Sequence, residues 1–196
     1  LWREVILLAV GRLVHLTGDT DRPFVLVNRL CPVQAVDDDT AWHKAWLAGD
    51  VLLEVGLHTV QDDAWGAELL ARVQQRLAAL VSGGKLTPRE RLDVGDVLAR
   101  LGDPRPGVCT LEPELMPVPA GVFLMGEKKH EIEIAQPYGI GRYPVTNAQY
   151  QMFVDDGGYT EKWRRCWTDA GWQWKADRNR PYDYDGFLLP NQPRVG

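Results

Sequence analysis

The chain has 196 residues, of which 45% are hydrophobic and 25% charged, and its formal net charge is −5. Such a length suits one large domain or two small ones with an ordinary globular composition. The modest negative charge argues against a general nucleic-acid binder, which needs a basic face, and no apolar run approaches the roughly 18–20 residues that span a membrane. We therefore expect neither a nucleic-acid ligand nor a membrane partner.

The cysteines and the first residues bear on where the protein works. Cys31, Cys109 and Cys166 are far apart and form no metal motif, which is typical of a reducing compartment, so we expect a cytoplasmic location. The apolar start carries Arg3 and Glu4 and has no clear cleavage site, which argues against a signal peptide. We expect the chain to be a segment of a longer protein.

Helical periodicity dominates residues 1–104. An amphipathic helix is predicted over 1–16, with apolar residues at near-helical spacing: Trp2, Val5, Ile6, Ala9, Leu13 and Leu16. A short apolar stretch over 24–30 follows, and two longer helices are predicted over 40–59 and 64–80. About five helices with short loops suggest stacked helical pairs of the solenoid kind.

The clearest local signal marks the start of another helix. Thr87 is a typical N-cap, Pro88 suits the first helical position, and Glu90 can complete a capping box. This helix is predicted to end at Gly102. Residues 1–104 are thus predicted to form an all-helical region.

The pattern changes after Gly102. Residues 105–118 are predicted to form a Pro/Gly-rich linker, and residues 119–196 to begin a second, α+β domain. Extended segments are predicted over 121–126, 131–134 and 138–145, followed by a helix over 147–154 with Thr146 as its cap. The remaining residues are predicted to be loop-like and are dense in aromatic side chains.

The sequence contains no complete catalytic motif. Residues 82–87 resemble a phosphate-binding loop, but Leu80 and Leu86 stand at two positions that need glycine and Ser or Thr. The four histidines show no metal-ligand spacing. We therefore assign no catalytic, cofactor-binding or metal-binding residue to this chain.

The aromatic segment over 159–187 offers two interpretations. Its rings alternate with basic residues and could stack on a ligand, or they could form the packing core of a loop-rich domain. The candidate ligand contacts are Trp163, Trp172, Trp174, Arg178, Tyr182 and Tyr184.

Five motifs in order resemble the formylglycine-generating enzyme, or sulfatase-modifying factor, family. They are VPAGVFLMG at 118–126, HEIEI at 130–134, IGRYPVTNAQY at 140–150, WTDAGWQW at 167–174 and NQPRVG at 191–196. The resemblance implies a loop-rich fold related to C-type lectins, which both oxidases and binding proteins use. The family continues into calcium, copper and cysteine positions that these motifs do not include, and Cys166 does not match its paired catalytic cysteines. Calcium or copper is therefore expected only with that further part.

The helical region is similar to the tails that join this domain to bacterial STAND or NACHT-type NTPases. Residues 2–9 (WREVILLA) and 89–105 (RERLDVGDVLARLGDPR) carry the similarity. Because no nucleotide-binding motif is present, an NTPase partner would have to lie upstream.

The main functional interpretation is a non-catalytic module that recognises a protein or another ligand. It would be the sensor end of a bacterial NTPase or defence protein, or a display protein diversified by a retroelement. The alternative is a formylglycine-generating oxidase that acts on a sulfatase cysteine, with its catalytic half outside this chain. A purely structural scaffold is a third hypothesis.

Overall fold

A computed structural model describes residues 2–34 and 36–195. Leu1 and Gly196, which the first predicted helix and the second predicted domain include, lie outside the described residues, as does Ala35. Two compact units divide the chain, Leu1–Pro104 and Arg105–Gly196. Across the described ranges, no helix combines the length and the apolar character that crossing a membrane requires.

The N-terminal unit is a helical bundle centred on α3. Its helices are α1 Trp2–Thr17, α2 Asp21–Leu30, α3 Asp39–Val55, α4 Leu57–Asp62, α5 Ala64–Ser82 and α6 Pro88–Leu101. Helix α3 packs against α1, α2, α5 and α6, so its buried residues surround most of the helix. In a solenoid each repeat contacts only its neighbours. The predicted solenoid-like stack is therefore not confirmed.

The face by which α1 packs differs from the predicted one. Val10 is buried and Ile6, Leu7 and Val14 lie against the core, whereas Trp2 and Leu16 are 78% and 76% exposed. The rotation of α1 agrees with a bidentate ion pair: Arg3 donates to both carboxylate oxygens of Asp50 in α3, at 2.7 and 2.8 Å. Apolar residues occur on more than one side of α1, so periodicity alone did not select the face.

Two other helices also differ from the sequence prediction. The apolar stretch over 24–30 belongs to α2, in which Pro23 occupies the first turn and Phe24 and Val27 are buried. The helix predicted over 40–59 ends at Val55, because Gly56 adopts a φ of 92° and begins the short helix α4. The prediction over 64–80 is confirmed by α5.

The predicted capping box at α6 is confirmed. Thr87 Oγ1 accepts from the Glu90 amide at 3.3 Å, and Glu90 Oε2 accepts from the Thr87 amide at 2.9 Å. Pro88 is in the first turn, and Gly102 follows the helix with a φ of 97°. These interactions are local, which explains why the sequence predicts them well.

The C-terminal unit contains two antiparallel strand pairs followed by helices. Its elements are β1 Leu115–Val118, β2 Gly121–Met125, β3 His130–Ile134, β4 Tyr138–Gly141, α7 Asn147–Asp155, a 3-10 helix Glu161–Cys166 and α8 Asp169–Lys175. Strand β2 pairs with β3, and β1 pairs with β4. The strand predictions for β2 and β3 are confirmed, and the third extended segment is a strand only over Tyr138–Gly141.

Two segments of this unit are more ordered than expected. Strand β1 lies inside the stretch predicted to be a linker. The sequence did not reveal it because the residues that it pairs with in β4 are 20–26 positions away. The segment after 159 was predicted to be loop-like, yet it forms the 3-10 helix and α8. Thr168 caps α8 by accepting from the Gly171 amide at 3.0 Å, a local signal that the sequence prediction missed.

The start of α7 anchors the final described residues. The predicted cap is confirmed: Thr146 accepts from the Gln149 amide at 3.2 Å and donates to the Val108 carbonyl at 2.6 Å. The Asn147 side chain donates to the carbonyls of Phe187 and Leu189 at 2.7 and 3.0 Å. No residue of the four strands is buried; among the larger side chains of this unit, the buried ones are Val108, Thr146, Tyr159 and Lys175, all outside the strands.

Candidate functional site

Six aromatic side chains form a contiguous group that we call the aromatic cluster. Its members are Tyr150, Phe153, Tyr159, Trp163, Trp167 and Trp172. Neighbouring ring centroids are 5.1–6.4 Å apart with tilted or edge-to-face geometry, which suits the quadrupoles of aromatic rings. Two predicted ligand contacts, Trp163 and Trp172, are half-buried members of this cluster.

Hydrogen bonds fix the orientation of the rings. The Trp167 indole donates to the Gly158 carbonyl at 2.9 Å, and the Trp163 indole donates to the Asp156 carboxylate at 2.7 Å. Tyr150 and Tyr159 share a hydrogen bond of 3.0 Å between their hydroxyls. Burial and then this hydrogen bond raise the pKa of Tyr159, so its phenol stays protonated and serves as packing rather than as a base.

Lys175 ends α8 and is only 7% exposed. Its ammonium lies 4.1 Å from the centroid of the Trp172 ring and donates to the Ala176 carbonyl at 3.1 Å. The ring face thus supplies part of the electrostatic compensation that a nearly buried cation needs. Ala176 follows with a φ of 48°, and this sharp turn leads the chain into the next segment.

Arg178 lies between two exposed rings. Its guanidinium carbon is 4.5 Å from the centroid of Trp174 and 4.9 Å from that of Tyr182, and Nη1 donates to the Trp174 carbonyl at 2.8 Å. Trp174 and Tyr182 are 62% and 56% exposed. We call these three residues the arginine stack. A guanidinium held between aromatic faces presents a rigid set of donors.

The structure therefore divides the six predicted ligand contacts. Three form the arginine stack, two belong to the aromatic cluster, and Tyr184 is exposed. Within residues 2–34 and 36–195, no ring stacking or cation–π contact joins Tyr184 to the other five side chains. A binding role for any of the six stays a prediction.

A cavity of about 460 Å³ adjoins the arginine stack. It is lined by Arg178, Asn179, Arg180, Pro181, Tyr182 and Asp183. Asp183 accepts from Arg194 Nη1 at 3.1 Å, and Arg194 also donates to the Tyr182 carbonyl. Sequence reasoning counted Arg180 among the basic residues of this segment without selecting it as a contact. It missed the Asp183–Arg194 pair, whose members are 11 residues apart.

The residues that the structure describes do not fit a metal centre. Among them, no group of three or more His, Cys, Asp or Glu side chains could hold a metal ion. No disulfide joins the three cysteines; Cys31 is buried, Cys109 is half-buried and Cys166 is exposed. No metal-dependent step is assigned to these side chains.

Comparison with known families gives a match for most of the C-terminal unit. Residues 103–195 match the model of the sulfatase-modifying factor enzyme 1-like domain. The family resemblance seen in the motifs is thereby supported. The helices and small sheets described above make the chain α+β, as predicted, but the lectin-like part of that prediction is not confirmed.

Three curated relatives carry the name hercynine oxygenase. The protein of Mycolicibacterium thermoresistibile is 43% identical over 54 residues, covering 28% of this chain and 12% of the relative. The Mycobacterium tuberculosis protein is 44% identical over 50 residues, covering 26% and 11%. The Mycolicibacterium smegmatis protein is 36% identical over 80 residues, covering 35% and 18%. The chain thus spans less than a fifth of each relative, and no solved structure shows significant similarity.

The comparisons bear on only part of what the sequence predicts. They support the sulfatase-modifying factor type for residues 103–195. The predicted NTPase association of the helical region and the retroelement hypothesis are not confirmed and stay predictions.

Proposed function

We propose that the C-terminal unit is part of an oxidase of the sulfatase-modifying factor type. The observation that carries this proposal is the match of residues 103–195 to that domain. The similarity to three hercynine oxygenases adds support, because their name also denotes oxidative chemistry. This was the alternative in the sequence analysis; the comparisons do not support the non-catalytic recognition module.

The described residues contribute a framework to this proposed activity. The aromatic cluster packs beside α7, and Asn147 fixes the segment over 187–189 by two hydrogen bonds. Such a framework can position loops rigidly. The oxidising centre is assigned to no residue that the structure describes, because those residues do not fit a metal site.

Two substrate classes follow from the relatives and are both proposals. A cysteine in a sulfatase-type peptide is the substrate implied by the family resemblance. Hercynine is the substrate in the name of the curated relatives. These classes differ in where oxidation would occur, so one set of assays can separate them.

The test is oxygen consumption by the natural protein that carries this sequence. Uptake with a cysteine peptide, but not with its serine counterpart, would support a peptide-thiol oxidase, and mass spectrometry would detect the aldehyde product. Uptake with hercynine would support an oxygenase like the curated relatives. No substrate-dependent uptake with either would refute the proposed oxidase function.

The cytoplasmic location and the NTPase partner that the sequence predicts are also proposals. A cytoplasmic location is supported by the lack of a disulfide among the three cysteines. An NTPase partner is supported only by the resemblance of the helical region. Co-purification of a nucleotide-hydrolysing activity with the natural protein would test that partner, and its consistent absence would count against it.

A further inference from the structure

We propose that the cavity beside the arginine stack binds an organic anion, through a carboxylate or phosphate group on a planar, largely apolar body. Ligand binding at this cavity is independent of the proposed oxidase function. Three features favour it: the charge of the cavity, the fixed position of Arg178 and the exposed aromatic surface.

The charge of the cavity favours an anion. Two of its six lining residues, Arg178 and Arg180, are cationic, and one, Asp183, is anionic. Asp183 is already paired with Arg194, whose side chain is only 14% exposed. Among the described residues, neither Arg178 nor Arg180 forms an ion pair with a carboxylate. The cavity therefore presents two guanidinium groups whose charge no acidic side chain directly offsets.

The flanking acidic residues do not change this balance by direct contact. Asp177 precedes Arg178 in the sequence and Asp185 follows Asp183, and both are exposed. Within the described ranges, neither makes an ion pair with the two cavity arginines. Their charges act through solvent, where screening weakens them.

Arg178 is prepared to recognise an anion. The rings of Trp174 and Tyr182 contact its guanidinium, and one nitrogen donates to the Trp174 carbonyl. This single hydrogen bond uses one of five guanidinium N–H donors, so the others are available to a ligand. Because the side chain is already held, a ligand need not restrict its rotamers on binding.

The aromatic surface indicates the body of the ligand. Trp174 and Tyr182 keep 62% and 56% of their surfaces exposed although they contact Arg178. A planar ring can cover such a surface while its carboxylate or phosphate meets the guanidinium groups. A bare inorganic anion would leave this aromatic surface uncovered.

Titrations monitored by ¹H–¹⁵N NMR on the 196-residue chain would test the site. The probes are sodium benzoate, its neutral isostere benzamide, and phenyl phosphate as the second anionic form. We expect benzoate or phenyl phosphate to shift the amide signals of residues 178–183 saturably, and benzamide to bind at least about tenfold more weakly, as expected when a charged hydrogen bond is lost.

Two variants and one control make the test specific. Arg180→Gln removes a side chain that has no hydrogen bond or ion pair within the described residues, so the fold should persist; Arg178→Gln removes the centre of the stack. Each should weaken anion binding roughly tenfold. Arg89→Gln, an exposed arginine in the other unit, should leave it unchanged.

The proposal is wrong if neither anion binds, if benzamide binds as tightly as benzoate, or if Arg180→Gln in a folded chain retains full affinity. Because every readout is binding, these outcomes are independent of the oxygen-consumption assay for the proposed oxidase function.

Discussion

Gly49 lies where α3 meets α5 and α6, and its replacement by alanine tests the packing of the helical unit. A Cβ atom at this position would lie 2.8 Å from Val97 Cγ1, 3.1 Å from Leu77 Cδ1 and 3.3 Å from Leu101 Cδ1. These three side chains are at most 7% exposed, so they have little free space to move into. Val97 is also β-branched and stiff in a helix.

Two effects of the substitution oppose each other. Alanine is favoured over glycine in a helix interior by up to about 1 kcal/mol. Overpacking a well-filled core usually costs about 1–3 kcal/mol. Because the added methyl group contacts side chains from two other helices, we expect overpacking to prevail and the free energy of unfolding to fall by about 1 kcal/mol.

Gly95 in α6 provides a matched control. Apart from its own helix backbone and its chain neighbours, no described heavy atom lies within 4 Å of a Cβ atom added there, so Gly95→Ala gains helix propensity without a clash. We expect it to raise the free energy of unfolding by about 0.5–1 kcal/mol. The same chemical change should therefore have opposite signs at the two positions.

Urea unfolding followed by circular dichroism at 222 nm would measure both variants, because most helices belong to the N-terminal unit. The double variant Gly49→Ala/Val97→Ala should lose less stability than the sum of its single changes, since it removes the closest contact. If Gly49→Ala stabilises the chain as Gly95→Ala does, or if the double variant is additive, our account of this helix crossing is refuted.

Three further predictions concern single contacts. Thr146→Val removes a buried cap and a donor to a backbone carbonyl, and should cost about 1–3 kcal/mol in urea unfolding followed by tryptophan fluorescence; no change would contradict the capping role. Gly158→Ala would place a Cβ atom 2.3 Å from the Phe153 ring, so we expect the aromatic NMR signals of the cluster to change their chemical shifts. An unchanged aromatic spectrum would contradict this prediction. The hydrogen bond to Glu90 raises the pKa of His43, so their 2.8 Å contact stabilises the fold below the ordinary pKa of histidine and is lost as the pH rises through the raised value. The deficit of His43→Gln should therefore be a few tenths of a kcal/mol near pH 6, because the pair is exposed, and should vanish at higher pH.

Local signals gave the most reliable predictions. The capping boxes at Thr87 and Thr146 involve side chains and amides three residues apart, so four residues of sequence contain the whole interaction. The alternation of Glu131-Ile132-Glu133-Ile134 predicted β3 for the same reason. The break at Gly56 was also visible in principle, as a glycine inside a helical pattern.

The candidate site was only partly predictable. The density of aromatic and basic residues after 159 singled out the segment that contains the arginine stack, and three of the six selected residues form that stack. Which rings are packed and which are exposed depends on α7, whose Tyr150 and Phe153 cover one side of the cluster. Sequence spacing contains no information about that contact.

By itself, the sequence determined where most helices and strands begin, the change of character near residue 104, and the motifs that relate residues 103–195 to the sulfatase-modifying factor domain. Only the tertiary structure decided which face of α1 is buried, that β1 pairs with β4, and that Asp183 pairs with Arg194. The physical reason is distance along the chain: capping and alternation act over a few residues, whereas packing faces and ion pairs depend on partners that the fold brings together.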